Sequence, residues 1–251
     1  MKFKVGILAF ALLACHFSLS AQTAEINHLE IGLNQNKTGN YADALRNFSL
    51  EIEKTAANPN PIAFYNRGFA KYNLKDFQGA ILDFNKALEL KPNYFEAFIA
   101  RGQSYSKQDN HPLAIQDYNE AIRLNPLEGT AYLSRGISKN KLENYRGAIT
   151  DFNKSLELLP DYAPTLAVRA DSKSKLGDYA GSIEDYNKAI EITPKRTNYL
   201  SGRAFAKMKI ADFKGALADF TEVLKLSPEK SEEWYYSGLC KAQLENYRGE
   251  N

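Results

Sequence analysis

FYNRGFAKYNL, residues 64–74, returns in altered form every 34 residues. It reads FIARGQSYSKQ at 98–108, YLSRGISKNKL at 132–142, LAVRADSKSKL at 166–176 and LSGRAFAKMKI at 200–210. Arg67, Arg101, Arg135, Arg169 and Arg203 stand one period apart. Sixteen residues after each comes an aspartate: Asp83, Asp117, Asp151, Asp185 and Asp219. Five of the nine prolines, Pro92, Pro126, Pro160, Pro194 and Pro228, keep the same spacing. Self-similarity at this period marks a stacked array whose units share one thin core.

Counting from Pro61 as position one, residues 62–74 and 77–90 are rich in helix formers with apolar residues at helical spacing. Lys75-Asp76, Gly39-Asn40, Glu143-Asn144 and Gly177-Asp178 supply turn and cap chemistry between such segments. Proline at position thirty-two cannot continue a helix and ends the second one. Each unit therefore reads as two helices joined by a tight turn. Position eight is small (Gly32, Gly68, Gly102, Gly136, Ala170, Ala204, Gly238), and so is position twenty (Ala44, Ala80, Ala114, Ala148, Ser182, Ala216). Position twenty-four is aromatic (Phe48, Phe84, Tyr118, Phe152, Tyr186, Phe220). Small against large lets paired helices interlock at native density.

These motifs, with Phe64, Phe98, Tyr132 and Trp234 at position four, resemble the tetratricopeptide repeat family over residues 25–249. The resemblance implies an all-α, right-handed solenoid. Repeats would start near residues 25, 61, 95, 129, 163 and 197, with a partial seventh from 231. Repeat one is atypical, as end units are: Pro59 and Asn60 are extra, and Ile31 and Asn47 replace the arginine and the aspartate. Because these two charges come and go together, an Arg–Asp contact between paired helices is expected, within a repeat or between neighbours. Its expected role is to fix helix register. An anion-binding basic stripe is the alternative, supported by Lys71, Lys139, Lys173, Lys207 and Lys241 one turn further on.

The first 21 residues read as a cleaved secretory signal, leaving 22–251 as the solenoid. Lys2 and Lys4 precede an almost wholly apolar run from Val5 to Phe17, and small residues follow to Ala21. The run is shorter than the roughly 20 residues of a membrane anchor. Leu12-Leu13-Ala14-Cys15 also resembles a bacterial lipobox, so lipid attachment at Cys15 is the alternative. The expected location is the periplasm or cell envelope, with no direct membrane binding unless Cys15 is lipidated. Removing Lys2 and Lys4 takes the formal charge from +2 to zero. A neutral chain lacks the basic footprint of a nucleic-acid or anionic-lipid binder. Cys240 is then the one remaining cysteine, so no intramolecular disulfide is expected.

In the family, first helices line a concave face that binds peptides, commonly through positions five and nine. The implied groove comprises Leu29, Leu33, Tyr65, Phe69, Ile99, Gln103, Leu133, Ile137, Phe205 and Tyr235, with Tyr72 and Met208 at position twelve. Ala167, Asp171 and Ser201 make its centre smaller and more polar. An apolar stripe suits a protein or peptide partner, such as an amphipathic helix. The carboxylate clamp of some chaperone-binding members is not expected, because its positions hold Leu29, Leu33, Asn66, Glu96 and Ala100 and only Asn66 fits. No catalytic residue, metal or cofactor is expected. His16, His28 and His111 are scattered, and no phosphate loop or paired nucleophile and base occurs. The implied function is a non-catalytic interaction scaffold, or alternatively a structural or lipoprotein accessory subunit of an envelope assembly.

At the C-terminal end, residues 231–244 read as a first helix, and LENY at 244–247 copies the turn at 142–145. The sequence then reads RGEN where repeat four has RGAITDF, and Glu250 stands where alanine belongs. A helix apolar on more than one side with no polar cap is expected to self-associate or pair with a partner, or else to mark a truncated form of a longer array.

Overall fold

The computed structural model describes residues 27–249. The expected signal segment, Cys15 and Glu250 lie outside these residues. The described chain is thirteen α-helices with no strand. They are α1 (His28–Lys37), α2 (Tyr41–Lys54), α3 (Pro61–Asn73), α4 (Phe77–Leu90), α5 (Phe95–Lys107), α6 (His111–Leu124) and α7 (Gly129–Lys141). Then follow α8 (Tyr145–Leu158), α9 (Ala163–Lys175), α10 (Tyr179–Ile192), α11 (Thr197–Lys209), α12 (Phe213–Leu226) and α13 (Ser231–Gly249). Odd-numbered helices are the first of each pair.

The hairpin turn has one geometry with several side chains. Position fifteen is left-handed every time: Gly39, Lys75, Asp109, Glu143, Gly177 and Ala211 all have φ between 58° and 83°. Only two of the six are glycine, so four hairpins carry a conformation that costs an L-residue roughly 1–2 kcal/mol. The next residue caps the second helix. Asp76, Asn144, Asp178 and Asp212 each accept the backbone N–H three residues on, at 2.9–3.0 Å. Such a cap is worth about 1 kcal/mol.

Each hairpin closes by small-against-large packing. A Cβ on Gly68 would lie 2.8 Å from the Phe84 ring, on Gly102 2.8 Å from Tyr118, and on Gly136 2.5 Å from Phe152. These rings, with Phe48 and Phe220, are almost wholly buried. Consecutive helices pack throughout, and each first helix from α1 to α11 also touches the next first helix. Second helices make no comparable contact with one another. The array therefore curves with the first helices on its inner side.

Helix α13 departs from the sequence expectation. The predicted turn at LENY does not form, and the helix runs unbroken through it to Gly249. The same four residues turn at 142–145, where Glu143 adopts φ 60°. There the packing of α8 against α7 offsets the strain. No helix packs back on α13 among the described residues, so the unstrained helix persists. Nothing lies within 4 Å of a Cβ placed on Gly238, although every other position-eight glycine faces a ring.

Candidate functional site: the inner row of first helices

The arginines and aspartates form one repeated staple. In all five hairpins the arginine Nε donates to aspartate Oδ2 at 2.8–2.9 Å and Nη2 to Oδ1 at 2.6 Å. Both partners belong to the same repeat. The third nitrogen reaches backward. Nη1 of Arg101, Arg135, Arg169 and Arg203 donates to Asn85, Asn119, Asn153 and Asn187 of the preceding repeat at 2.7–2.8 Å. Arg67 makes the weaker equivalent with Ser49, at 3.3 Å. One guanidinium thus joins two helices of its own repeat and a third from the previous one. The asparagines stand two residues after four of the five aspartates in the sequence, a periodic signal beside the Arg–Asp spacing; Thr221 follows Asp219.

The lysines suggested as a basic stripe are already committed. Lys71, Lys139, Lys173 and Lys207 place Nζ 2.8 Å from Oδ2 of the same aspartates. The aspartates are at most 5% exposed and nearly all their acceptor capacity is used, which leaves no cationic stripe there to bind an anion. Lys241 is exposed and has no such partner among the described residues. Repeat three lacks the lysine and has Tyr105 instead. Its Asp117 carboxyl is raised above the usual carboxylate range, chiefly by burial, with Arg101 opposing the shift. In repeat one, Asn47 meets His28 and Gln35 at 2.9 Å, a neutral network in the same place.

The expected groove residues divide. Leu33, Tyr65 and Phe69 line a cavity of about 290 Å³ with Asn36, Lys37 and Asn66. Phe205 lines two more, of about 470 and 350 Å³, towards the C-terminal end. Phe69 and Phe205 are 36% and 37% exposed. Others serve the core as well. Leu29 and Leu33 pack beside Phe48, and Met208 beside Phe220. Tyr65 stands 4.9 Å from Tyr94 and 5.8 Å from Phe84, ring centre to ring centre, and burial raises its hydroxyl pKa. Tyr72 packs edge-on to Phe77. Ile99, Gln103, Leu133 and Ile137 are half-buried on the inner row. Tyr235 is exposed on α13, away from these cavities.

Ala167 and Ser201 are buried, and Ser201 donates to Glu233 at 2.9 Å. Asp171 instead opens into the cavity of about 470 Å³ and accepts the Tyr186 hydroxyl. Protein around it raises its pKa, with the Tyr186 bond and Lys175 opposing. A Cβ on Gly202 would strike the Tyr186 hydroxyl at 2.3 Å, so only glycine leaves room for this contact. Two sets of lining residues were missed in the sequence. One is the lysine that ends each first helix except α3 and α13; the other is the aromatic that opens the second helix, such as Tyr145 and Tyr179. Among the described residues no group of side chains could hold a metal ion, and no helix is long and apolar enough to cross a membrane. Cys240 is buried beside Ala204, Ala216 and Phe220, and burial raises its thiol pKa.

Hairpins of one design, closed by ring-in-notch packing and stapled to their neighbours, define an α-solenoid of closely similar units. Tetratricopeptide-repeat models match residues 61–94, 95–126 and 163–196. The chain belongs to the tetratricopeptide repeat family. No curated protein matches the sequence. Among solved structures, it is similar to PilW, described as a widely conserved type IV pilus biogenesis factor. Identity is 16% over 83% of this chain and 96% of that one, with a TM-score of 0.75. It is similar also to YrrB, a tetratricopeptide protein with an unusual peptide-binding site (16% identity, 75% and 96% covered, TM-score 0.63). A tetratricopeptide repeat protein from Parabacteroides merdae is 22% identical, with 92% and 90% covered and a TM-score of 0.62.

Proposed function

We propose that this chain is a non-catalytic scaffold that holds a protein segment against its inner row of helices. Tetratricopeptide proteins are interaction scaffolds, and one structural neighbour is a peptide-binding member. The observation that carries the reading is the placement of Phe69 and Phe205. Both are large and apolar, both are partly exposed, and both line concave cavities where a core residue would be covered. A partner that fills such cavities buries its own apolar side chains there, at about 25 cal/mol per Å². The test is in-cell photo-crosslinking from positions 69 and 205, with Leu82 on the outer side as the control. Capture of one defined partner from the inner positions, lost in Phe69→Glu, supports the reading. Equal capture from Leu82 overturns it.

We place the protein in the cell envelope by its N-terminal sequence, and the likeness to a pilus biogenesis factor is consistent with that. Intact mass of the exported protein should begin near Gln22, or at an acylated Cys15 under the lipoprotein alternative. A mass beginning at Met1 would exclude both.

A second reading, association through the C-terminal end, is favoured by α13. Trp234 and Tyr235 are 56% and 63% exposed there, and the Gly238 notch is open. Sedimentation at high micromolar concentration should show a dimer that Tyr235→Glu dissolves; a strict monomer would sink this reading.

A further inference from the structure

Five first helices end on a lysine: Lys37, Lys107, Lys141, Lys175 and Lys209. They differ from Lys139, Lys173 and Lys207 two residues earlier, which sit on buried aspartates. None of the five has a carboxylate within ion-pair distance among the described residues. A cation at a helix C-terminus offsets the macrodipole, and that alone gives each lysine a small stabilising role. It does not require the lysines to share cavities with aromatic rings, and four of them do. Lys37 lines the N-terminal cavity with Tyr65 and Phe69. Lys141 and Lys175 line the central cavity with Tyr145 and Phe205, and Lys175 and Lys209 the next with Tyr179 and Phe205. Asp171 is the one carboxylate lining any of the three, and it already accepts the Tyr186 hydroxyl.

We propose that the inner row recognises an acidic segment, whose side-chain carboxylates meet these lysines while its apolar side chains enter the cavities between them. This rests on the groove reading above and names the partner's chemistry. Each cavity offers an apolar wall and a cationic rim, once at the N-terminal end and again from α7 to α11. A peptide alternating acidic and apolar residues presents the complementary pattern. Lysines on the rim of a concave face focus positive potential, so an anion gains there more than on a flat surface. The recognised groups are internal side chains; a chain terminus is not required, because no lysine–asparagine clamp is assembled. A polyanion without apolar groups would leave Phe69 and Phe205 uncovered, which favours peptide over nucleic acid.

The test is fluorescence anisotropy with the purified protein and C-terminally amidated peptides of alternating Glu and Leu. The comparison peptides carry Gln or Lys for each Glu; poly-glutamate and single-stranded oligo-dT complete the set. The Glu–Leu peptide should bind at least about tenfold more tightly than the Gln peptide, a difference of about 1.4 kcal/mol, with affinity falling as salt rises. The variant Lys141→Gln/Lys175→Gln/Lys209→Gln should lose that preference while keeping its circular dichroism spectrum. Should that variant misfold, the Glu-against-Gln comparison and the salt titration on wild type still decide. Equal binding of Glu and Gln peptides, lost in Phe205→Glu, overturns the charge inference and leaves the groove reading standing. Binding of neither, or tighter binding of oligo-dT than of any peptide, overturns the proposal. The groove reading then stands or falls on the crosslinking from positions 69 and 205.

Discussion

Residues 142–145 and 244–247 spell the same four letters, and only the first set turns. In repeat four the turn is followed by α8, which sets Phe152 into the Gly136 notch and Asp151 against Arg135. Those contacts outweigh one left-handed glutamate. On α13 no such helix is present among the described residues, and the backbone keeps its regular hydrogen bonds. A turn sequence here is therefore a permission, and tertiary packing decides whether it is used.

The comparison can be broken by removing from an inner hairpin what α13 lacks. Arg135→Met should have the largest effect, about 3–5 kcal/mol by thermal or urea denaturation, because it leaves Asp151 buried with only Lys139. Adding Asp151→Leu should recover part of that loss. Single and double variants melting alike, near wild type, would show that the staple contributes little. Next comes one substitution made in two places. Gly136→Ala puts a methyl group 2.5 Å from the Phe152 ring and should destabilise by about 1–3 kcal/mol. Gly238→Ala meets nothing and should stabilise α13 by up to about 1 kcal/mol, read as raised helicity. Equal effects at both sites would contradict the open notch.

Tyr105→Lys sharpens the comparison among inner hairpins by giving repeat three the second cation its neighbours have. The Asp117 carboxyl is raised in the folded state, so its contribution is fully present below the ordinary carboxylate pKa and is lost as pH rises through the folded value. The variant should abolish that loss. Its advantage over wild type, about 1 kcal/mol, should grow from near pH 4 upward and then level off. A pH-independent difference would mean that Asp117 is not the group affected. The smallest effect is expected of Ala211→Gly, which relieves a left-handed alanine at φ 60° for up to about 1 kcal/mol. No change in melting would show that this turn is not strained.

The fold was legible because it is written several times over. Glycine at 68, 102 and 136, rings at 84, 118 and 152, and proline after each second helix need no tertiary information to be read as hairpins. The ionic pairs were legible as pairs, since Arg and Asp are absent together from repeat one. Two features were harder to see. Whether the aspartate came from the same repeat or a neighbour is a matter of superhelical geometry, which spacing does not encode. Lys141 and Lys175 look like ordinary surface lysines until the packing of α7, α9 and α11 sets them on the rim of one cavity. Tyr65 and Met208 show the opposite case, apolar residues on the expected groove face that also serve the core.

Four of the five arginines hold an aspartate of their own unit and an asparagine of the unit before. Excising residues 129–162 would bring Arg169 to Asn119, the same partner type at the same spacing as Asn153. Copying any of repeats two to five would likewise create one more complete latch and break none. Inner repeats can therefore be removed or copied whole without a compensating point mutation at the new junction. The first and sixth units are the exceptions: Ser49 offers only a 3.3 Å contact to Arg67, and Thr221 stands where the sixth unit would need an asparagine, so a copy of either set in the interior would carry a weak joint wherever it landed.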